Sequence, residues 1–164
     1  MVLLDSFPDA VEYACENGTY ALVAAGYLDM ADGLLQDSWV DLHFRYAHRM
    51  RLSAVWESPT KTMCLAVNGT RASTREEIRS VALHPATAVL ARRILPAEAR
   101  REFVRSKPLG VQKAADGEVD ACVGSLDVVE RAGRLSVIET MRPTMVWCLY
   151  QPVPGRTDRD RVSS

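Results

Sequence analysis

The stretch richest in chemistry is Leu83-His84-Pro85-Ala86-Thr87, which reads as a strand end running into a helix start. The first-turn amides of such a helix lack partners and the positive end of its dipole points outward, so the junction suits a carboxylate, and Thr87 can add a hydroxyl. Arg105-Ser106-Lys107-Pro108 and Gly124-Ser125 are two further junctions of the same kind. Three such mouths facing one way fit a ligand with two carboxylates. Ser106 and Ser125 serve equally well as plain helix N-caps. His84 has two readings, a general acid or a turn residue bonded to the backbone. His43 and His48 are five apart, which fits neither one face of a helix nor one face of a strand, so no metal pair is expected. Trp39, Trp56 and Trp147 have the bulk to line a ring pocket and equally the bulk of core residues. Arg71, Arg75 and Arg79, four apart, read as a solvated helix stripe. The sequence has no P-loop, no GxGxxG fingerprint, no GxSxG elbow and no zinc pattern.

The elements that must position these residues follow from punctuation and period. Residues 6–16 start on Ser, carry Pro in the first turn and stop at Asn17-Gly18, which predicts a helix. The continuous apolar run 20–28 predicts a strand buried on both faces of a parallel sheet. Asp29 to Asp41 reads as irregular or weakly helical, and 49–57 and 61–68 alternate as strands with Ser58-Pro59 as the turn between them. Ser73 with Glu76 matches a capping box and predicts a short helix to Ser80. Beyond it the pattern alternates: strand VALH, a helix from Pro85 to Leu95, strand EFVRS, a helix stopped by Gly117, strand VDACVGS, a helix stopped by Gly133, then strands LSVIET and MVWCLYQPV. Such alternation implies βαβ units, an α/β fold and a ligand crevice at the carboxyl ends of the strands. The polar tail 154–164 is expected to be disordered.

With 20 Lys plus Arg against 21 Asp plus Glu, the chain carries no field that would gather nucleic acid or an anionic membrane. Cys15, Cys64, Cys122 and Cys148 are far apart in apolar segments and read as buried reduced thiols. The start, MVLLDSFP, has neither a basic region nor a long apolar one, and no apolar run approaches the roughly 18–20 residues of a membrane span. A cytoplasmic location is expected, and the sequons at Asn17 and Asn68 then read as Asn-Gly turns.

The order of these segments resembles that of the prephenate dehydratases. SVALHPATAVLARRI followed by SKPLGVQKAADGEVDACVGSLDVVERAGRLSVIETMRPTMVWCLY is similar to their second lobe, with Ser-His-Pro before one helix, Ser-Thr before the next, a Gly-Ser strand end and a terminal Asn-x-Thr-Arg-Phe strand. DSFPDAVEYACENGTYALVAAGYLDMADGLLQDSWVDL resembles their first-lobe stretch, and the likeness covers about residues 3–153. It implies a two-lobed, periplasmic-binding-protein-like α/β fold with prephenate held between lobes: a first lobe and hinge strands over 1–70, a second lobe over 71–153. Where the family has Glu-Asn-Ser this chain has Leu28-Asp29-Met30, and where it has Asn-x-Thr-Arg-Phe this chain has Arg142-Pro143-Thr144-Met145-Val146. Met145 cannot replace the bidentate grip of arginine on an acidic group.

Pro143-Thr-Met-Val-Trp147-Cys-Leu149-Tyr150 is similar to the terminal strand of prephenate decarboxylases of the bacilysin-pathway type, with one residue more between proline and tryptophan. That likeness implies decarboxylation with protonation of the ring diene, and no metal or other cofactor. His84 and Thr144 are then the catalytic candidates, and Thr87, Ser106, Lys107, Ser125, Arg142, Trp147, Asp29 and Trp39 the binding candidates. The sequence starts at what resembles the family's second strand, so a shortened first lobe is expected, with a homodimer formed through residues 1–5 or Tyr20 to Asp41. The expected partner is a small carboxylate, in specialised metabolism. The same scaffold also admits an isomerase or cyclase acting on another carboxylated substrate, or a ligand-binding protein without catalysis.

Overall fold

The computed structural model describes residues 1–31 and 34–153. In chain order the elements are α1 (Phe7–Asn17), β1 (Ala21–Ala24), β2 (Leu28–Ala31), β3 (Leu34–Ser38), α2 (Trp39–Tyr46), β4 (Met50–Pro59), β5 (Met63–Asn68), β6 (Ser80–Leu83), a 3-10 turn over Pro85–Thr87, α3 (Ala88–Ala91), β7 (Arg100–Phe103), α4 (Lys107–Ala115), β8 (Ala121–Ser125), α5 (Leu126–Ala132), β9 (Leu135–Met141) and β10 (Thr144–Pro152). They divide into two compact units. One holds residues 1–28, 37–58 and the described stretch from 145; the other holds 29–31, 34–36 and 59–144. β5, which falls within the expected first-lobe and hinge stretch 1–70, is an interior strand of the second unit.

In the first unit α1 is opened by Ser6, whose Oγ accepts the Asp9 N–H at 3.1 Å, and closed by Gly18 at φ 62°, a left-handed conformation that glycine adopts without strain. α2 is opened by Ser38 in the same way. Both pack on a three-stranded sheet of order β1-β10-β4, and Val11, Ala14, Val23, Leu42, Met50, Cys148 and Tyr150 form the buried core. The run 20–28 is not a strand of a parallel sheet. The strand within it is Ala21–Ala24, before β2 starts at Leu28, and it pairs antiparallel with β10, Val23 opposite Cys148, while Leu22 faces out. One covered face is enough for an antiparallel strand, so the apolar run overstated its burial. Asp29 to Asp41 is not irregular either: β2 pairs with β3 and α2 starts at Trp39. Strands of four and five residues are too short for their alternation to be read. Nor is Ser58-Pro59 a turn, since β4 runs through to Pro59.

The second unit is built on a five-stranded sheet of order β7-β6-β8-β5-β9. β6 runs parallel to β7 and β8, and β5 runs antiparallel to β8 and β9. The carboxyl ends of β6, β7, β8 and β9 therefore share one edge with the amino end of β5. Leu83 lies opposite Phe103 and Val123 there, and Met63 opposite Ser125 and Met141. β5 is buried throughout: Met63, Leu65 and Val67 join Ile78, Val81 and Leu83 on one face, while Cys64 and Ala66 join Val111, Ala114, Cys122 and Val129 on the other. All four cysteines are free thiols, and burial pushes Cys64 up to about 11 and Cys122 to about 12.

Two expected helices shrink or vanish. Residues 73–79 form turns and bends, not a capped helix; Glu77, not Glu76, accepts the Ser73 and Thr74 N–H groups at 2.7 and 3.2 Å. Both ends of this stretch are tied elsewhere, Arg71 and Ala72 N–H to the Asn68 carbonyl and Arg79 N–H to Asp120. The three arginines accordingly form no stripe: Arg71 pairs with Asp120, Arg75 with Glu139, and Arg79 bonds the Glu76 carbonyl. The helix expected from Pro85 to Leu95 is a 3-10 turn and a single α turn, because the chain tightens after Ala91 and places Ile94 and Leu95 in the core. The tail expected over 154–164 lies outside the described residues.

Candidate functional site

The carboxyl edge of the five-stranded sheet carries His84, Thr87, Ser106, Lys107, Ser125 and Arg142 of the sequence candidates. His84 follows β6 directly and acts as the cap of the 3-10 turn: its Nδ1 accepts the Ala86 N–H at 3.1 Å. This bond assigns the proton of the neutral ring to Nε2. Thr87 is 5% exposed, and its hydroxyl donates to the His84 carbonyl at 2.7 Å, so it holds the turn closed around the histidine. From the end of the neighbouring strand β7 the chain reaches Ser106, whose Oγ accepts the Leu109 N–H at 3.4 Å as the cap of α4. Lys107, the first residue of that helix, is half-buried and makes no ion pair among the described residues.

Burial, and after it the Lys107 ammonium, lower the His84 pKa from its ordinary value. The imidazole is therefore neutral at neutral pH, with Nε2–H as a donor.

Ser125, at the end of β8, is buried but does not cap α5 through its side chain. The Leu126 N–H goes to the Thr62 carbonyl at 2.9 Å, and the Ser125 hydroxyl lies 3.8 Å from the Met63 sulfur, a weak acceptor. The N-cap reading thus holds for Ser106 and fails for Ser125. Lys61, entering the same edge before β5, is neutralised by Asp127 at 2.8 Å. Arg142, just after β9, is exposed and forms no ion pair among the described residues. Pro143 beside it is tied down by its carbonyl, which accepts the Thr60 N–H at 3.0 Å. Thr144 is exposed as the first residue of β10, and Asp29 is exposed on β2.

Trp39 and Trp147 belong to the first unit. Trp147 is half-buried on β10 opposite Ala24. Trp39 opens α2 and stacks on His43 one turn later, with ring centroids 5.5 Å apart, and His43 Nδ1 lies 3.0 Å from the Tyr150 hydroxyl. The Trp39 indole N–H is buried without a directed hydrogen bond, although it lies near enough to Cys148 and Tyr150 to oppose the burial that raises both. Burial nonetheless carries Tyr150 to about 12. The i, i+4 spacing of Trp39 and His43 was a readable signal for their stacking; nothing in the sequence pointed to Tyr150. Among the described residues no group of three His, Cys, Asp or Glu is arranged to hold a metal ion, and no helix is long and apolar enough to cross a membrane.

The sheet orders and the parallel strand ends define a class: the chain has the two-lobed α/β fold of prephenate dehydratases and periplasmic binding proteins. The prephenate dehydratase of Arthrobacter aurescens, solved with L-Phe, superposes with a TM-score of 0.55 at 12% identity over 95% of this chain and 53% of its own. The enzyme from Staphylococcus aureus gives 0.52 at 11% over 92% and 57%, and the putative periplasmic sulfonate-binding protein SsuA of Methylobacillus flagellatus gives 0.55 at 16% over 91% and 47%. The chain spans about half the length of these structures, and at such identities the likeness is one of fold. No family model matches the sequence, and no curated protein does.

Proposed function

We propose that the chain binds a small carboxylate at the carboxyl edge of its five-stranded sheet and acts on it as a lyase of the prephenate decarboxylase type, on prephenate or a related carboxylated cyclic keto acid. The observation that carries this reading is Lys107 beside His84: an unneutralised, half-buried cation against a half-buried imidazole, on neighbouring strand ends. Such a place gains from an anion, because the anion relieves the positive charge in a setting that water screens poorly. The Ser106 hydroxyl keeps its proton free for a ligand, and Arg142 offers a planar fork for a second carboxylate. Solved structures of this fold include one with L-Phe and one named for sulfonate binding, both ligands with a small anionic group.

In the proposed reaction the bond to the ring carboxylate breaks, its electron pair enters the diene, carbon dioxide leaves and one proton adds to the ring. No oxidant or reductant is needed. A bound carboxylate offsets the Lys107 charge and raises the His84 pKa, which prepares the imidazole to donate that proton. The family resemblance adds Thr144 and Asp29 of the same unit to the set. Met145 in place of the dehydratase arginine favours decarboxylation over loss of the ring hydroxyl.

The test is incubation of the chain with prephenate while carbon dioxide and phenylpyruvate absorbance are followed together. Carbon dioxide without phenylpyruvate is the expected result, and phenylpyruvate as the main product refutes the decarboxylase reading. The equal TM-score to the sulfonate-binding protein favours one alternative, a ligand-binding protein without catalysis, which prephenate binding without turnover identifies.

A further inference from the structure

Among the described residues β4 is the edge strand of its sheet, bonded to β10 alone, and residues 51–57 are exposed without a break. Its apolar surface lies on both faces, since Leu52 and Trp56 are 37% and 40% exposed on one and Val55 is 54% exposed on the other. A long bare edge of this kind is a template for another strand, and proteins normally blunt it with proline, lysine or a covering segment. Here proline comes only at the last residue, Pro59, and the strand's two charges, Arg51 and Glu57, are opposite in sign and three residues either side of Ala54.

We infer that β4 pairs antiparallel with β4 of a second copy of this chain, about a two-fold axis normal to the sheet at Ala54. An axis normal to the sheet keeps every side chain on its own face, so only registers centred on a residue are allowed. Centred on Ala54, the register sets Arg51 against Glu57 of the second copy twice, sets Leu52 against Trp56 twice, and places the smallest side chain against itself. Centred on Val55 it would set Arg51 against Pro59 and Glu57 against Ser53. Centred on Ser53 it would set Arg51 against Val55 and place Glu57 opposite Arg49, which lies before the strand begins. Arg51 also lies against the Gln151 side-chain amide, and its five N–H donors suffice for both partners. The seam inferred for the homodimer is thus β4, in place of the residues 1–5 or Tyr20 to Asp41 expected from the sequence.

Light scattering on the full chain across the micromolar range should show a dimer. R51E and E57R each set like charges opposite one another twice per dimer, and each should weaken association at least about tenfold. The double variant R51E/E57R restores it, and mixing the two single variants yields a heterodimer in which both charge pairs are opposite. An A54C chain should cross-link to itself under mild oxidation while the unchanged chain does not, since residues facing across an antiparallel ladder lie within reach of a disulfide. A monomer at every concentration, a dimer indifferent to both reversals, or a double variant no better than the singles overturns the inference.

Discussion

The Lys107 ammonium stands close enough to His84 to add to the effect of burial in holding the imidazole uncharged. The two residues are separated by a helical turn and a whole strand in sequence, and they meet because β6 and β7 run parallel with Leu83 opposite Phe103. A K107M chain should show a higher His84 pKa by NMR titration, and weaker binding of an acidic ligand by about 1.5–3 kcal/mol, the size of a charge-assisted hydrogen bond. The sign of the pH effect follows from the downward shift. His84 favours folding above the ordinary imidazole range, and that contribution is lost as pH falls through its depressed folded value. In the K107M chain this acid loss should be smaller. An unchanged His84 titration would show that the two side chains do not interact.

Arg142 enters the same edge from β9 and has no ion pair among the described residues. Arg142→Ala should leave the thermal melting of the chain unchanged, because an exposed, unpaired side chain contributes little to folding. Ligand affinity should fall by about 1.5–3 kcal/mol, measured by calorimetry. Unaltered affinity would remove Arg142 from the binding set.

The carboxyl edge of the sheet was legible in the sequence because β6 and β8 are short, mostly apolar runs that end directly in a residue suited to a helix start, Leu83 before His84 and Gly124 before Ser125, while β7 leads through Val104-Arg105 to the Ser106 cap. What was not legible depends on partners distant in sequence. The stretch 73–79 carries a good local helix signal, but Asp120, more than forty residues on, takes the Arg79 and Ser80 N–H groups, and a helix there would lose those bonds. The antiparallel placement of β1 was hidden for the same reason, since its partner β10 comes more than one hundred residues later. Ser125 looked like a cap by its position, and only the Thr62 carbonyl, from the residue before β5, shows how the helix start is satisfied.

Asp120 is the buried anchor of the second unit. Burial raises its pKa, but the Arg79 N–H, the Arg71 guanidinium and Ser80 outweigh that and bring it below the usual carboxylate value. Asp120→Asn removes the charge and turns an amide N–H₂ toward groups that are themselves donors, so unfolding in urea should show a loss of about 2–4 kcal/mol at neutral pH. With a depressed pKa, Asp120 stabilises the fold above the ordinary carboxylate range, and the contribution disappears as pH falls through its folded value. The gap between the two chains should therefore narrow in acid. A gap that stays constant with pH would mean that the loss is one of shape and not of charge.

Gly124 sits at the end of β8 opposite Cys64, under α4, where an added Cβ would stand 2.5 Å from a Val111 methyl. Val111 is 2% exposed and branched at Cβ, so it cannot rotate away without entering another part of the core. Gly124→Ala should push α4 off the sheet and destabilise the chain by about 1–3 kcal/mol, the usual range for overpacking. Val111→Ala alone leaves a small cavity, but combined with Gly124→Ala it makes room for the new methyl, so the double variant should melt above the sum of the two single losses. Since α4 carries Lys107 on its first turn, the same displacement should let the His84 pKa drift back toward its ordinary value in Gly124→Ala and recover in the double variant. Thermal melts and imidazole titrations of the four chains decide it: strictly additive losses with an unmoved His84 would show that α4 does not rest on Gly124.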